Sequence, residues 1–590
     1  MQYQICYDPL KDKAPVGAVK KGTTVTFIIH AEGITPKEVF FMVKEDADLD
    51  YAYHLMEKIQ NCYKITLNFE KLGHFWYNFK LNFDDYALYL SKTYDTKSYY
   101  SEEKGEDFLQ LVTSEEYNLD GAMEGGIIYQ ILVDRFAKVG EVKPREPLIL
   151  REDWGGGIHK NTNDPLIINL EVFGGNFKGV QSKLEYLKAL GVTVIYFNPI
   201  CMANSSHKYD TADYFQVDSM FGTEEDFKQL IAAAKSLGIK IIIDGVYNHT
   251  GSDSIYFNKY NRFETVGAFN STESPYYSLY DFIEYPNEYQ TWWGIDTLPK
   301  IRYDAEGYHD LIAGENGVIN KFLRLGVFGV RLDVVDELTD KFTKQISDRV
   351  KSFGDNRIVI GEVWEDAATK IAYDFRKQYF TQNELSSVMN YPVKESILSY
   401  VRNRNPFDLY CTLRMIINSY PKAVQDNLMN FLDTHDTNRI FSELLDISNG
   451  DKKIAFKLLK IATVIMFTVV GVPSIFYGDE YGMENNDGSS RGCFDWENYD
   501  NEIFDWFRKL TKIRKLEVFK HGDLNILFAN DGKFVFERSN ESSHIVVATN
   551  LKEEPLDINL KGKFVSYFSN KTVDHKTLNM YDFDVFIEEK

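Results

Sequence analysis

The pattern of apolar positions changes character along the chain. Residues 1 to about 117 carry short β-branched and aromatic runs separated by polar punctuation. Thr23–Ile29, Glu38–Val43, Cys62–Phe69 and Phe75–Leu81 are the clearest, and they predict strands of a small N-terminal β-sandwich. The Tyr-, Ser- and charge-rich stretch Ser91–Lys104 reads as a linker or an edge of that sandwich. From about Gly125, short apolar runs alternate with helical periodicity. Val180, Leu184, Leu187 and Leu190 recur at helical spacing up to Gly191. Thr223 and Asp226 resemble a capping box, followed by an apolar face of Phe227, Leu230, Ile231, Ala234 and Leu237 and a closing Gly238.

Strands are expected at Ile127–Val133, Val192–Phe197, Ile239–Ile243 and near Phe328–Leu332, Ile358–Gly361, Leu385–Met389, Leu428–Leu432 and Ser474–Tyr477. Each parallel strand needs a crossover helix to cover it. The expected fold class is therefore α/β, a (β/α)8 (TIM) barrel over residues 118–517. The connection after the third strand runs to roughly 70 residues rich in Tyr, Phe, Asn and Trp. A loop of that length is usually functional or a subdomain, here an insertion at about 247–300. Residues 518–590 return to strand-like alternation and predict a C-terminal β-sandwich.

At 590 residues the chain exceeds one ordinary core, in keeping with several domains. Charged residues make up 26% and apolar ones 44%, which is a globular composition. The net charge of −22 disfavours nucleic acid and anionic membranes as partners but tolerates neutral ligands. Five scattered cysteines (Cys6, Cys62, Cys201, Cys411, Cys493) without a CxxC pair argue against a disulfide framework or zinc site and for a reducing compartment. Met1-Gln2-Tyr3-Gln4 lacks a basic start followed by an apolar run, so no signal peptide is expected. The uncharged stretch Ile461–Gly478 has the length of a membrane span, but Gly471 and Pro473 divide it into a buried helix end and a short strand. The expected location is cytoplasmic.

In such a barrel the reacting side chains project from the C-terminal ends of the strands. Strand two is followed by His207, Tyr209 and Asp210, and strand three by Asp244, Asn248 and His249. Strand four ends with Arg331 and Asp333, strand five with Glu362 and Trp364, and strand seven with Asp433, His435, Asp436 and Arg439. Any one of these could cap a helix. Asp333, Glu362 and Asp436 converging on one rim point to chemistry instead. Several carboxylates in one funnel suit glycosidic cleavage, in which one carboxyl protonates the leaving oxygen while another, ionised, attacks or shields an oxocarbenium-like centre. Arg331, two residues before Asp333 on the same strand face, is expected to keep that Asp ionised, and Glu362 beside Trp364 is the candidate for a raised pKa.

The segments Gly329-Val330-Arg331-Leu332-Asp333, Gly361-Glu362-Val363-Trp364 and Thr434-His435-Asp436-Thr437, with Asp244, Asn248 and His249 upstream, resemble the signature regions of the α-amylase superfamily (glycoside hydrolase family 13). The likeness extends through Tyr129–Phe136, Phe173-Gly174-Gly175, His207–Asp210 and Gly471–Glu480. It covers residues 125–515. It implies a retaining mechanism with Asp333 as nucleophile, Glu362 as acid then base, and Asp436 holding the hydroxyls of the distorted sugar. It also implies sugar-binding or orienting roles for His207, Tyr209, Asp244, His249, Arg331, Glu337, Trp364, His435 and Arg439, and makes the long insertion the family's B domain. The β domain before the barrel, Glu337 and Leu298-Pro299-Lys300-Ile301 are similar to the neopullulanase, cyclomaltodextrinase and maltogenic amylase group. That likeness implies a carbohydrate-binding-module-like N-terminal sandwich, short or cyclic α-glucans, pullulan or starch as substrates, and a homodimer. Tyr285, Tyr289, Trp292 and Trp293 are candidates to line the substrate path.

Two departures stand out. Many relatives follow Asp-Arg-Phe with a calcium loop, whereas Asp134-Arg135-Phe136 runs into Ala137–Glu141 with Lys138, and the later motif is Gly174-Gly175-Asn176. Ca²⁺ takes six to eight oxygens, so no metal or other cofactor is expected there. Val335-Asp336 stands where the group has Ala-Asn, which bears on the acceptor side. The alternatives are a pullulanase-type debranching enzyme, a plain α-amylase or, in a different class, a non-catalytic glucan-binding protein. Retention of all three carboxylates speaks against the last, and the same intermediate could also serve transglycosylation.

Overall fold

The computed structural model describes residues 4–114, 117–157, 169–498 and 500–589. The N-terminal region forms a five-stranded and a seven-stranded sheet. In Thr23–Glu32 alternate residues Val25, Phe27 and Ile29 are buried. Their period of two turns one face towards Phe41, Tyr77 and Phe79 of the other sheet. Ala87–Lys92 and Ser98–Ser101 pair as a hairpin at the rim of the larger sheet, so Ser91–Lys104 is a sandwich edge and not a linker.

Eight parallel strands follow: β1 Ile128–Ile131, β2 Val194–Phe197, β3 Lys240–Gly245, β4 Gly329–Leu332, β5 Ile358–Gly361, β6 Ser387–Val388, β7 Met429–Asn430 and β8 Val472–Phe476. The order β6-β5-β4-β3-β2-β1-β8-β7 is closed by a parallel bridge from Met389 to Met429, so the sheet is a barrel. Several strands are shorter than the apolar runs that announce them. After Ile131 the chain turns into the helical turn Val133–Phe136, because that run is also buried outside the sheet.

The helix Glu224–Ser236 starts as expected. The Thr223 side chain accepts from Asp226 N–H, and the Asp226 carboxylate accepts from Thr223 N–H, satisfying two end donors. The Val180–Leu190 run, by contrast, is two helices, Phe177–Ser182 and Leu184–Leu190, broken at Lys183. Ser182 Oγ donates back to Gly179 O at 2.7 Å, a local bond that competes with helix continuation. Ile461–Gly478 resolves into the end of helix Lys452–Thr468 and strand β8. Among the described residues no helix is long and apolar enough to cross a membrane.

Between β3 and the helix Glu306–Ala313 the insertion folds around a small hairpin, Phe282–Glu284 with Glu288–Tyr289. A bridge from His249 to Lys300 joins its two ends just past β3, and one from Thr291 to Pro299 closes a loop within it. Where a C-terminal β-sandwich is expected, Asp523–Glu588 form one continuous six-stranded sheet. One face packs on the barrel through Phe534, Phe536 and Val547, and the other covers its own small core of Val546, Phe564 and Phe586. Arg538, fully buried, donates to Val469 O and Gly522 O, both at 2.8 Å, and fixes this sheet to the barrel.

Candidate active site

β3 and β4 place Asp244 directly beside Arg331 in register, and β5 follows with Glu362 just past its last residue. The Arg331 guanidinium is fully buried. It pairs with Asp244 Oδ1 at 2.8 Å, Asp333 Oδ1 at 2.9 Å and Glu362 Oε2 at 2.8 Å. One cation therefore holds three carboxylates at the mouth of three adjacent strands. Glu362 also accepts from Val334 N–H at 2.8 Å and Trp364 Nε1–H at 3.1 Å. Asn248 donates to the Asp333 carbonyl at 3.3 Å and steadies the turn.

The electrostatic balance differs from the expectation for Arg331 and Asp333. Burial first, and then the charges of Glu362, Asp244 and Asp436, push the Asp333 carboxyl well above the usual range against the pull of Arg331. The single Arg331 guanidinium does not neutralise the three carboxylates it pairs with, so protonation belongs to the cluster. Asp436 goes the other way. Burial raises it, but His435 and Arg491 outweigh burial and hold it well below the ordinary carboxylate range.

Asp436 is clamped from two sides. His435 Nε2 lies 3.0 Å from one carboxylate oxygen and Arg491 Nη2 3.0 Å from the other. Gln130 Nε2 donates to His435 Nδ1 at 2.9 Å, which leaves the ring proton on Nε2. The same Nε2 faces the Tyr209 hydroxyl at 2.5 Å, and that hydroxyl donates to Asp244 at 2.9 Å. A second hydroxyl, of Tyr196, reaches Asp244 at 2.7 Å. A continuous chain of hydrogen bonds and close polar contacts thus joins Arg331 to Asp436 beneath the cleft.

The cleft has a volume of 1110 Å³. Asp333, Glu362, Asp436, His207, Tyr209, His249 and Trp364 line it. His207 accepts Tyr209 N–H on Nδ1 at 3.1 Å, and burial with the nearby Arg491 and Lys208 charges pushes it down to about 3. Burial likewise takes His249 down to about 4. Both rings are neutral near pH 7 and act as hydrogen-bonding groups. Trp364 stacks on Tyr391 with centroids 4.0 Å apart, leaving its indole half-exposed to the cleft. Trp292 and Trp293 stack at 4.6 Å and also line the cleft. Tyr285 and Tyr289 instead brace the insertion, donating to Phe269 O and Asp296 O.

Other sequence candidates lie outside the cleft wall. Asp244, Arg331 and His435 form the buried layer just described. Arg439 is fully buried and donates to Tyr477 O at 2.6 Å, Ser490 O at 2.8 Å and Asp479 at 3.1 Å. It shapes the loop that carries Arg491 and does not reach the cavity. Glu337 bonds Trp293 Nε1 at 3.1 Å, Lys300 at 2.9 Å and the Tyr373 hydroxyl, so it reaches the cleft only through Trp293.

Arg491 was not among the sequence candidates. It follows β8 in a Ser-Ser-Arg-Gly loop whose composition carries no signal, and its partner is 55 residues away. Asn204, Asp253 and Arg262 at the outer cleft were missed for the same reason.

At the loop where relatives hold calcium, the oxygens are already engaged. Asp134 accepts from Phe173 N–H at 3.0 Å, from Gly174 N–H at 2.9 Å and from Arg135 Nε at 2.7 Å. Asn176 Oδ1 caps a helix through Gly179 N–H at 2.7 Å. These residues do not fit a Ca²⁺ shell, and among the described residues no group of three or more His, Cys, Asp and Glu could hold a metal.

Residues 130–505 match the family described as "Alpha amylase, catalytic domain". The chain is 32% identical, over an alignment 638 positions long, to an amylopullulanase of Thermoanaerobacterium saccharolyticum, covering 92% of this chain and 48% of that protein. It therefore spans about half or less of the length of the amylopullulanases it matches. It is 30% identical over 463 residues to a cyclomaltodextrinase of Thermoanaerobacter pseudethanolicus, covering 74% of this chain and 72% of that one. The fold matches the type III pullulan hydrolase from Thermococcus kodakarensis with a TM-score of 0.70 at 22% identity, covering 99% of this chain and all of that one (100%). With its carboxylates gathered on the rim of a closed eight-stranded barrel, the chain belongs to the α-amylase family of glycoside hydrolases.

Proposed function

We propose that the chain hydrolyses α-glucosidic bonds with retention, acting on short or cyclic α-glucans, pullulan or starch. The observation that carries this reading is the Arg331 guanidinium ion-paired at once with Asp333 and Glu362, with Asp436 lining the same cleft. Asp333 attacks the anomeric carbon as Glu362 gives its proton to the leaving oxygen. Glu362 then takes a proton from water, which attacks the same carbon and releases Asp333. Asp436 accepts from sugar hydroxyls, Tyr209 and Trp364 offer ring faces, and His207 and His249 supply neutral hydrogen bonds. The engaged oxygens of Asp134 and Asn176 support a reaction without calcium at that loop. The five free cysteines support a cytoplasmic setting. The likeness to the cyclomaltodextrinase group supports a homodimer, which light scattering tests directly.

A second reading, α-1,6 debranching, is favoured by the amylopullulanase relatives. Product analysis on β-cyclodextrin, pullulan and soluble starch separates the two. Panose from pullulan, with cyclodextrin preferred to starch, supports the first. Maltotriose from pullulan supports the second, and no cleavage of any of the three refutes both.

A further inference from the structure

A second cavity of 810 Å³ adjoins the catalytic cleft, and Asp336 lines both. Four parts of the chain that are distant in sequence wall it: Asp46 of the N-terminal sandwich, Lys300 to Tyr303 at the end of the insertion, Asp336 to Asp340 after β4, and the hairpin Ile371–Ala372 with Phe375–Arg376. The Trp293–Glu337–Tyr373 hydrogen-bond chain partitions it from the cleft.

Its surface has two unusual properties. Tyr303, Tyr373 and Phe375 are 73%, 61% and 74% exposed, a concentration of bare rings at one opening. Tyr373 also sits at a turn position with φ 53°, next to Asp374 with φ 66°. Two such residues make a tight hairpin turn that ordinarily prefers Asn-Gly, so the ring is displayed against a backbone preference. The cations around the cavity are, moreover, already satisfied. Lys300 pairs with Glu337 at 2.9 Å, Arg302 with Asp304 at 3.0 Å and Arg376 with Asp46 at 2.8 Å, while Lys377 donates to Leu338 O at 2.7 Å. Among the described residues that line it, three of the four cations are ion-paired and Lys377 lies among five carboxylates, Asp46, Asp281, Asp336, Glu337 and Asp340, so the lining does not favour an anion. A neutral, hydroxyl-rich ligand with flat apolar faces meets both properties, since rings stack on its faces and the paired carboxylates keep lone pairs for its hydroxyls.

We propose that this cavity is a second α-glucan-binding site that retains long chains next to the cleft. The proposal rests on the α-glucan reading of the cleft itself. Tyr303→Ala with Phe375→Ala tests it, because neither side chain lines the cleft or makes a buried hydrogen bond. Kinetics on soluble starch and on maltotriose, together with native electrophoresis in gels containing amylopectin, give the readout. The double variant is expected to raise KM for starch about fivefold and to lose retardation by amylopectin, with kcat/KM for maltotriose changed less than about twofold. An unchanged starch KM with unchanged retardation overturns the proposal. So does an equal loss on maltotriose, or a fall in oligomeric mass without change in starch KM, which would mark a protein interface. If the unaltered chain cleaves neither glucan, the catalytic reading fails separately, and gel retardation alone decides the second site.

Discussion

The amide of Val334 donates to Oε2 of Glu362 at 2.8 Å, so the residue after one reacting carboxylate supports the other. Val334 adopts φ 39°, ψ 59° to do this, a left-handed conformation that a β-branched side chain resists. Strain of this kind costs about 1–3 kcal/mol and persists where the surroundings over-determine it, here through Asn248 and Arg331, which both hold the preceding Asp333. Val334→Asn, a residue that tolerates this region, is expected to raise stability by about 1 kcal/mol. A urea titration showing lower stability would refute stored strain at this turn.

Asp333→Asn and Glu362→Gln are each expected to lower kcat by at least ~10³-fold with the fold intact. The two should differ in stability. The folded pKa of Asp333 is raised, so its contribution is fully present below the ordinary carboxylate value of about 3.9 and is lost as pH rises through the folded value. At pH 7 the fold must hold an ionised Asp333 against burial and its neighbours, and Asn removes that burden. Asp333→Asn should therefore melt a few degrees higher at pH 7, on the order of 2–4 °C, and the gain should shrink towards pH 4. The acid limb of kcat/KM should likewise lie above pH ~4, because protonated Asp333 cannot attack.

Arg331 is the cation that three buried carboxylates share. Arg331→Met leaves them uncompensated and is expected to cost about 3–5 kcal/mol at pH 7. Denaturation at pH 5 should show a smaller loss, as protonation relieves the repulsion. Arg331→Lys restores the charge but not the forked geometry, and should recover only part of the stability. Equal stability of the Met variant and the unaltered chain at both pH values would dismiss this role.

Arg491 contacts both Asp436 and the carbonyl of His435, at 3.0 and 2.8 Å. Arg491→Ala is expected to reduce kcat/KM about ten- to a hundredfold, the loss of one charge-assisted hydrogen bond that orients Asp436. Because the side chain is part-exposed, the melting temperature should move little. Steady-state kinetics beside a melting curve distinguish this positioning role from a structural one, which would shift both.

Much of this protein is local in origin and was readable from the chain. The capping box of Thr223 and Asp226, the strand-and-helix alternation, and the placement of Asp333, Glu362 and Asp436 just past apolar runs all follow from periodicities of two and 3.6 residues. Barrel closure decided the rest, because it sets contacts between residues that no period relates. It put Tyr209 against His435, 226 positions on, and Arg491 against Asp436. It buried Arg439 under the rim when its sequence position suggested the cleft. It also gathered three carboxylates around one guanidinium with Asp436 nearby, so that Asp333 rises in pKa although Arg331 stands two residues before it. Sequence spacing places a charge on a strand end, but only the folded barrel fixes how many others share its low-dielectric surroundings.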